Sequence, residues 1–254
     1  MQSRRDKETV VIEPTETHTA TVIFLHGLGD TGMGWYDPMK QLSAENPHIK
    51  FILPTAPRRP VTINFGSVMP AWYDITDLGA SREEQKCEGI HDAKATVERL
   101  IKAEVEEHGI PHHRIIIGGF SQGAAVSLFT GFSLPSTLAG VIALSGYLAL
   151  KDEFLANLTE AGRLAPLLMC HGESDPLIRL SWAELSFQAI QSIAGVKKAT
   201  FKKYRGLAHS LSLQELKDVA AFVRECLPKE EKEKEEEKKG GGSEGEDDTS
   251  THRL

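Results

Sequence analysis

Basic residues are too few in this chain of 254 residues to balance the acidic ones, and the formal net charge is −7. Nucleic-acid binding requires a basic face that meets the phosphates, so this composition argues against a nucleic-acid partner. Much of the acidic excess lies in the C-terminal tail, residues 228–254, where ten acidic residues stand against six Lys or Arg. This tail cannot bury apolar surface, and we expect it to be disordered.

Cysteine is also scarce, with Cys87, Cys170 and Cys226 as the three representatives. Their odd number and wide spacing match neither a disulfide framework nor a zinc site, so we expect free thiols in a reducing compartment. The charged N-terminus lacks the apolar stretch of a secretory signal, and Gln2 stands where myristoylation needs glycine. These features favour a cytoplasmic protein, and the final His-Arg-Leu only loosely resembles the peroxisomal Ser-Lys-Leu signal.

Apolar runs long enough to span a membrane are missing as well. Residues 115–150 contain no charged side chain, and a span needs about 20 apolar residues. Serine, glutamine, glycine and proline residues interrupt the stretch throughout. We interpret it as a strand, a helix and a second strand at the centre of a parallel sheet, and we expect no stable membrane insertion.

Short apolar runs do recur along residues 17–227, which we interpret as one domain. These runs lie at 21–25, 49–53, 115–117, 140–144, 166–170 and 199–204. Apolar residues at helical spacing occupy 92–108, 177–194 and 211–227. The alternation predicts an α/β fold with a mostly parallel central sheet flanked by helices on both faces. Most runs are continuously apolar, as in strands covered on both faces, whereas 199–204 alternates and favours an edge.

Two segments depart from this alternation. Residues 1–16 form an N-terminal extension, in which 9–12 favours an edge strand antiparallel to the run at 21–25. Residues 54–90 contain four prolines and only weak periodicity, so we expect an irregular segment. Such a segment inside a compact domain usually serves as a lid or a binding loop.

The most informative motif is Gly-Phe-Ser-Gln-Gly at 119–123, which lies between two apolar runs. A Gly-x-Ser-x-Gly between a strand and a helix is typical of a nucleophile elbow. The sharp turn strains the serine backbone and places its hydroxyl above the sheet, while the flanking glycines let neighbouring backbone pass close. Ser121 is therefore the candidate nucleophile.

A serine nucleophile needs a base and an orienting acid, because its free hydroxyl is a weak nucleophile at neutral pH. The expected chain order is serine, acid, histidine. His209 follows the final strand, where this fold places its base, whereas His171 favours a buried core position. Asp175 and Glu173 both qualify as the acid, and loop length favours Asp175. A competing role for Asp175 is to cap the next helix, because a proline follows it.

Two backbone N–H donors must stabilise the oxyanion that forms in acyl transfer. One belongs to Gln122, at the positive end of the helix after the nucleophile. The other is expected in the loop at 26–34, where Leu28 is the candidate. This loop also contains the sequence Gly-x-Gly-x-x-Gly at 27–32, which is typical of dinucleotide-binding loops. A dinucleotide site would require an acidic residue at the end of the next strand, and no acidic residue directly follows the run at 49–53. A dinucleotide site would also leave Ser121 unexplained.

A set of motifs runs colinearly through residues 17–227. They include Phe-Leu-His-Gly-Leu-Gly-Asp at 24–30, Met-Pro-Ala-Trp-Tyr-Asp-Ile at 69–75 and Gly-Gly-Phe-Ser-Gln-Gly at 118–123. Shorter matches lie at 54–57, 59–62, 144–146, 171–172, 175–176 and 204–210. Together they resemble the acyl-protein thioesterases, also described as lysophospholipase-like carboxylesterases, of the α/β-hydrolase fold.

The resemblance implies hydrolysis of fatty-acyl thioesters on proteins, with activity on small esters and lysophospholipids. It implies Ser121 as nucleophile, His209 as base and Asp175 as acid, with the oxyanion held by Leu28 and Gln122. It also implies an acyl-binding channel partly formed by residues 54–90. The candidate substrate-binding residues are Leu28, Met69, Trp72, Tyr147 and Leu177. Core packing is an equal alternative for Trp72, and Tyr147 stands where the family commonly has a larger tryptophan.

We therefore predict a cytoplasmic serine hydrolase that cleaves long-chain acyl thioesters, such as S-palmitoyl groups on proteins, through an acyl-serine intermediate. We expect an acylated protein or lipid as substrate, no cofactor or metal, and at most a weak homodimer. One alternative is a general short-chain carboxylesterase. Another, from a different class, is a non-catalytic lipid- or protein-binding module on the hydrolase fold.

Overall fold

A computed structural model describes residues 9–77 and 85–230 of the chain. The tail beyond residue 230, for which the sequence predicts disorder, lies outside the described residues. A seven-stranded sheet in the order β1-β3-β2-β6-β7-β8-β9 runs through the molecule. Its strands, with the two of a separate small sheet, are β1 (Val10–Ile12), β2 (Ala20–Leu25), β3 (Ile49–Leu53), β4 (Arg58–Val61), β5 (Ser67–Pro70), β6 (Ile115–Phe120), β7 (Gly140–Leu144), β8 (Leu167–Gly172) and β9 (Ala199–Tyr204).

Helices connect most of these strands. They are α1 (Tyr36–Glu45), α2 (Ile90–His108), α3 (Gln122–Gly131), α4 (Lys151–Ala156), α5 (Glu160–Arg163), α6 (Leu180–Gln188) and α7 (Leu213–Cys226). A π-helical turn, Ala189–Ile193, extends α6, and short 3₁₀ turns occupy Gly32–Trp35, Thr62–Asn64 and His112–Arg114. The helical spacing predicted at 92–108 and 211–227 therefore corresponds to α2 and α7.

The strands from β2 to β9 pair in parallel, and β1 adds an antiparallel edge. Because side chains alternate across a strand, the sheet has two buried faces. Ile23 and Ile117 pack in one core with α2 and α3, whereas Val22 and Ile116 pack in a second core with α1 and α7. The prediction of an α/β fold with helices on both faces of a mostly parallel sheet is confirmed.

The central strands explain the uncharged stretch at 115–150. It includes β6, α3 and β7, which are buried except for the half-buried Phe120 at the end of β6. Within the described part of the chain, no helix is both long and apolar enough to cross a membrane. The alternating run at 199–204 forms β9, which lies at the edge of the sheet as its pattern indicates.

The N-terminal strand differs from expectation in its partner. β1 pairs with β3, with Val11 opposite Ile52, rather than with the run at 21–25. β2 instead lies between β3 and β6 and is completely buried. A strand whose two neighbours are already in place has no free edge for β1, so β1 extends the sheet beyond β3.

The segment at 54–90 is more regular than the sequence indicates. Its strands β4 and β5 form an antiparallel pair, with Arg59 opposite Met69. Pro60 and Pro70 lie in these strands, and a strand at the edge of a sheet tolerates proline where no ladder bond is needed. Proline content therefore concealed the pair from sequence analysis. Residues 78–84 of this segment lie outside the described residues.

Candidate functional site

Ser121 lies in a sharp turn between β6 and α3. Its backbone adopts φ 54° and ψ −114°, in a region where a non-glycine residue is strained. Its N–H donates to the carbonyl of Leu144 at the end of β7, at 2.8 Å. The surrounding strands therefore hold the strained turn in place, and Ser121 has the backbone of a nucleophile elbow.

Glycine is required on both sides of this serine for steric reasons. A Cβ on Gly119 would stand 2.4 Å from the carbonyl carbon of Gly123. A Cβ on Gly123 would stand 2.3 Å from the carbonyl oxygen of Leu25 on β2. Both distances are far below van der Waals contact, so any larger residue would force the elbow away from β2.

His209 and Asp175 meet although 34 residues separate them. The Nδ1 atom of His209 lies 2.7 Å from Oδ2 of Asp175, and the loops that follow β8 and β9 bring the two together. The other carboxylate oxygen, Oδ1, accepts hydrogen bonds from the backbone N–H groups of Leu177 and Ile178, each at 2.9 Å. Asp175 is therefore shared between the imidazole and the turn before α6. Glu173, the other acid that the sequence allowed, is exposed.

Opposing effects act on the pKa of Asp175. Burial alone would raise it, but the hydrogen bond from His209, those from the two N–H groups and the nearby imidazole charge outweigh burial. The result is a pKa below the ordinary value, so the carboxylate is ionised at neutral pH. His171 is completely buried, and its Nε2 lies 2.8 Å from the carbonyl oxygen of Ile178. It therefore occupies the core position that the sequence favours.

Ser121 and His209 line one cavity of about 400 Å³. Apolar side chains make up most of its wall, and among the lining residues that the structure describes Asp30 is the one acidic residue. Its other lining residues are Gly27, Leu28, Gly34, Trp35, Pro38, Ile75, Phe120, Gln122, Tyr147, Leu177, Ile178, Ser210 and Leu211. Three of the five predicted substrate-binding residues therefore border the cavity, namely Leu28, Tyr147 and Leu177.

Leu28 and Gln122, the two residues whose N–H groups are the predicted oxyanion donors, both line the same cavity. Gln122 is the first residue of α3, and first-turn N–H groups of a helix have no acceptor within the helix. Among residues 9–77 and 85–230, neither N–H takes part in the backbone hydrogen bonds of turns, loops and helix caps. The positive end of α3 adds to the attraction for an anion at this point. Both groups can therefore receive a negative oxygen.

The loop that carries Leu28 begins at His26, which is completely buried. Its Nδ1 lies 2.6 Å from the carbonyl oxygen of Gly27, and its Nε2 accepts the N–H of Ala56 at 2.9 Å. Burial lowers the pKa of His26, so the ring is neutral with the proton on Nδ1. The ring thus fixes the loop and takes no part in the cavity wall.

Met69 and Trp72 are placed differently from the other predicted substrate-binding residues, because neither borders the cavity. Trp72 is 1% exposed and lies in the core. The Sδ of Met69 lies 3.2 Å from the side-chain nitrogen of Asn64, and it would be 3.6 Å from a Cβ on Gly29. Trp72 thus occupies the core position that the sequence allowed as an equal alternative. Met69 lies next to Gly29, and its contact with substrate stays a prediction.

Two neighbours of the site were not among the predicted site residues. The ring of Phe120 packs on the imidazole of His209, with centroids 4.7 Å apart. Ile178 borders the cavity and also donates its N–H to Asp175. Phe120 directly precedes Ser121 in the elbow motif, so the motif could have identified it, whereas only the folded chain brings Ile178 to the site. Within the described ranges, no group of three or more His, Cys, Asp or Glu could hold a metal ion.

A buried acid lies just beyond the site, where α7 begins. Glu215 is completely buried, and it forms a capping box with Ser212. Its Oε1 has no hydrogen-bond partner in the described part of the chain. Burial raises the pKa of Glu215 from its ordinary 4.5 to about 7. The hydrogen bond from the Ser212 backbone lowers this pKa, and the negative charge of Asp218 has a smaller raising effect.

This raised pKa predicts a pH-dependent stability. Between pH 4.5 and about 7 the folded protein binds more protons at Glu215 than the unfolded chain does. The free energy of unfolding should therefore fall as pH rises through that window. Glu215→Gln keeps the capping box and should make the dependence shallower, as measured by urea unfolding at several pH values. Glu225→Gln, an exposed site on the same helix, is the control, and an equal flattening by both substitutions would contradict the assignment.

Known proteins resemble this chain in sequence and in structure. The phospholipase/carboxylesterase family matches residues 6–227. Acyl-protein thioesterase 1 homolog 1 of Dictyostelium discoideum is 45% identical over 225 residues, which cover 88% of this chain and 97% of that protein. Acyl-protein thioesterase 1 of Yarrowia lipolytica is 42% identical over 219 residues, which cover 85% of this chain and 96% of that protein. The crystal structure of Zea mays acyl-protein thioesterase 2 matches with a TM-score of 0.77 at 30% identity, covering 86% of this chain and 98% of that one.

Proposed function

Because the chain belongs to the phospholipase/carboxylesterase family of α/β-hydrolases, we propose that it is a serine hydrolase of long-chain acyl thioesters on proteins and of related esters or lysophospholipids. The observation that carries the proposal is that Ser121 and His209 border one apolar cavity while His209 is paired with Asp175. Similarity to acyl-protein thioesterases supports the choice of substrate class.

Acyl transfer to the enzyme follows from these positions. Asp175 accepts the Nδ1–H of His209 and thereby keeps Nε2 unprotonated. Nε2 takes the proton of the Ser121 hydroxyl as Oγ bonds to the acyl carbon. The carbonyl oxygen becomes an oxyanion, which the N–H groups of Leu28 and Gln122 stabilise. The carbon–sulfur bond then breaks, and His209 returns the proton to the leaving thiolate.

Hydrolysis of the acyl-serine repeats the same steps with water. His209 takes a proton from water, and the hydroxide oxygen bonds to the acyl carbon. A second oxyanion forms and collapses, the bond to Ser121 Oγ breaks, and His209 protonates that oxygen. The products are a free carboxylic acid and the original enzyme, so the cycle needs no cofactor.

The cavity wall favours an acyl chain over a polar one. Leu28, Tyr147 and Leu177 present apolar surface beside Ser121. Each methylene that leaves water contributes about 0.8 kcal/mol, so several methylenes in this cavity stabilise the bound substrate by several kcal/mol. The hydroxyl of Tyr147 pairs with that of Tyr73 at 3.0 Å, which keeps its polar end satisfied within the wall.

A chain-length series tests the substrate class. For thioesters of increasing acyl length, kcat/KM should rise by up to about fourfold per methylene until the cavity is filled, because each methylene contributes about 0.8 kcal/mol. Oxyesters with the same acyl chains form the matched series. A profile that is flat or falling beyond short chains would identify a general short-chain carboxylesterase instead.

The non-catalytic alternative makes a separate prediction. A lipid- or protein-binding module would bind the acyl chain without reacting with a fluorophosphonate. We expect the native protein to form a stoichiometric adduct, because an activated serine attacks phosphorus as it attacks an acyl carbon. The absence of any adduct on folded protein would support the binding module.

A further inference from the structure

The Trp72 side chain reaches the loop that holds one oxyanion donor. Its indole Nε1–H donates to the carbonyl oxygen of His26 at 2.9 Å. The two rings also pack with centroids 5.2 Å apart. His26 and Gly27 precede Leu28 directly, so this hydrogen bond acts on the backbone that orients the Leu28 N–H.

The Trp72 backbone reaches the second donor. Its N–H donates to Oε1 of Gln122 at 2.7 Å. The Nε2 of the same amide donates to the carbonyl oxygen of Tyr73, also at 2.7 Å. Gln122 is 1% exposed, so its side chain is held from both ends away from water. The first residue of α3 is thereby fixed to residues 72–73.

A further hydrogen bond joins residues 70–73 to the loop at 26–29. The N–H of Gly29 donates to the carbonyl oxygen of Pro70 at 2.9 Å. Residues 70–73 therefore contact the loop at 26–29 on one side and the start of α3 on the other. Ser121 directly precedes Gln122, and its Cβ would lie 3.4 Å from a Cβ built on Gly27, so the nucleophile adjoins both regions.

We propose that Trp72 and the side chain of Gln122 form a clamp that sets the separation of the two oxyanion donors. Trp72 is a positioning residue in this clamp and does not touch the substrate. The inference rests on the proposed function, because it concerns the oxyanion of that reaction. Oxyanion donors act at 2.7–3.1 Å from the oxygen, and a misplacement of about 1 Å costs up to about 100-fold in rate.

Simple core packing does not account for these contacts. A buried tryptophan needs one acceptor for its indole N–H, and any nearby carbonyl would serve. Here the acceptor belongs to one donor loop, and the adjacent backbone N–H binds the residue that supplies the other donor. The hydrogen bonds thus connect the two halves of one binding site.

Two substitutions test the clamp. Trp72→Phe removes the indole N–H but keeps an aromatic ring and the backbone bond to Gln122. Gln122→Met keeps the side-chain length and the backbone N–H but removes both amide hydrogen bonds. Each should lower kcat by about 10-fold to 100-fold, less than the loss of a whole donor, with KM changed less than twofold. A boronic acid, which forms a tetrahedral adduct on the serine, should bind more weakly by the same factor.

The control is Phe132→Leu, which trims another completely buried aromatic residue. It should lower the free energy of unfolding by a similar amount and leave kcat and boronic-acid affinity within twofold of wild type. Equal losses of kcat in Phe132→Leu and Trp72→Phe, or unchanged boronic-acid affinity in both clamp variants, would overturn the clamp. If Trp72→Phe does not fold, the Gln122→Met result decides alone.

The wild-type protein separates this inference from the proposed function. Thioester turnover and a fluorophosphonate adduct on wild type establish the reaction before any variant is compared. An active wild type with fully active clamp variants overturns the clamp alone. An inactive, unlabelled wild type overturns the proposed function, and the clamp with it.

Discussion

Ser121→Ala should lower the rate of thioester hydrolysis by about 10⁴-fold to 10⁶-fold, because the residues that act with a nucleophile contribute little without it. The substitution removes only the hydroxyl, and alanine tolerates the turn about as well as serine does. We therefore expect an unchanged free energy of unfolding. The fluorophosphonate adduct should disappear together with the activity.

A second serine, on the helix α3 that follows Ser121, provides the matched control. Ser127 is completely buried, and its hydroxyl donates to the carbonyl oxygen of Gly123. Ser127→Ala should retain both labelling and turnover, with at most a small loss of stability. An adduct that survives Ser121→Ala would mean that another nucleophile performs the chemistry.

Asp175→Asn should lower kcat by about 10⁴-fold at neutral pH. Asparagine can donate its amide N–H to Nδ1 of His209, and the imidazole proton then moves to Nε2. In that tautomer His209 cannot accept the Ser121 proton. The two hydrogen bonds from Leu177 and Ile178 can persist on the remaining oxygen, so the loop should keep its shape and KM should change little.

Glu173→Gln is the control for this substitution. Both acids follow β8, but Glu173 is exposed whereas Asp175 contacts His209 at 2.7 Å. We expect Glu173→Gln to stay within twofold of wild-type kcat, as measured in the same steady-state assay. A large loss at Glu173 with a small loss at Asp175 would contradict the pairing.

Most of the candidate site could be predicted from the sequence because it depends on local turn geometry and chain order. The glycines at 119 and 123 signal the elbow, and their steric need is evident from the contacts of β6 and α3. The order of serine, acid and histidine selected His209 and left two acids. Loop length favoured Asp175 over Glu173, and in the folded loop Asp175 contacts His209 whereas Glu173 is exposed.

The residues behind the site could not be predicted in the same way. Trp72 was an equal candidate for substrate contact and for the core, because an aromatic residue has the same sequence signature in both. Its burial and its two hydrogen bonds depend on residues about 46 and 50 positions away. The side chain of Gln122 was likewise unassigned, because its partners belong to a segment that reads as irregular.

For the fold, the sequence predicted the strands of the central sheet but not all of their partners. Continuous apolar runs identified the buried parallel strands, and the alternating run identified β9 as an edge. The pairing of β1 with β3, and that of β4 with β5, escaped prediction. Strand partners depend on which edges remain free once the central strands have assembled, and apolar periodicity does not record this order.

The proposed reaction requires an acyl-serine, which rapid quenching of the protein with a long-chain acyl thioester should trap. Peptide mass spectrometry of the quenched sample should show one acyl group, attached to Ser121, that appears within a single turnover and disappears as free fatty acid is released. Turnover without an adduct at Ser121, or an acyl group that accumulates on Cys87, Cys170 or Cys226 instead, would contradict the account.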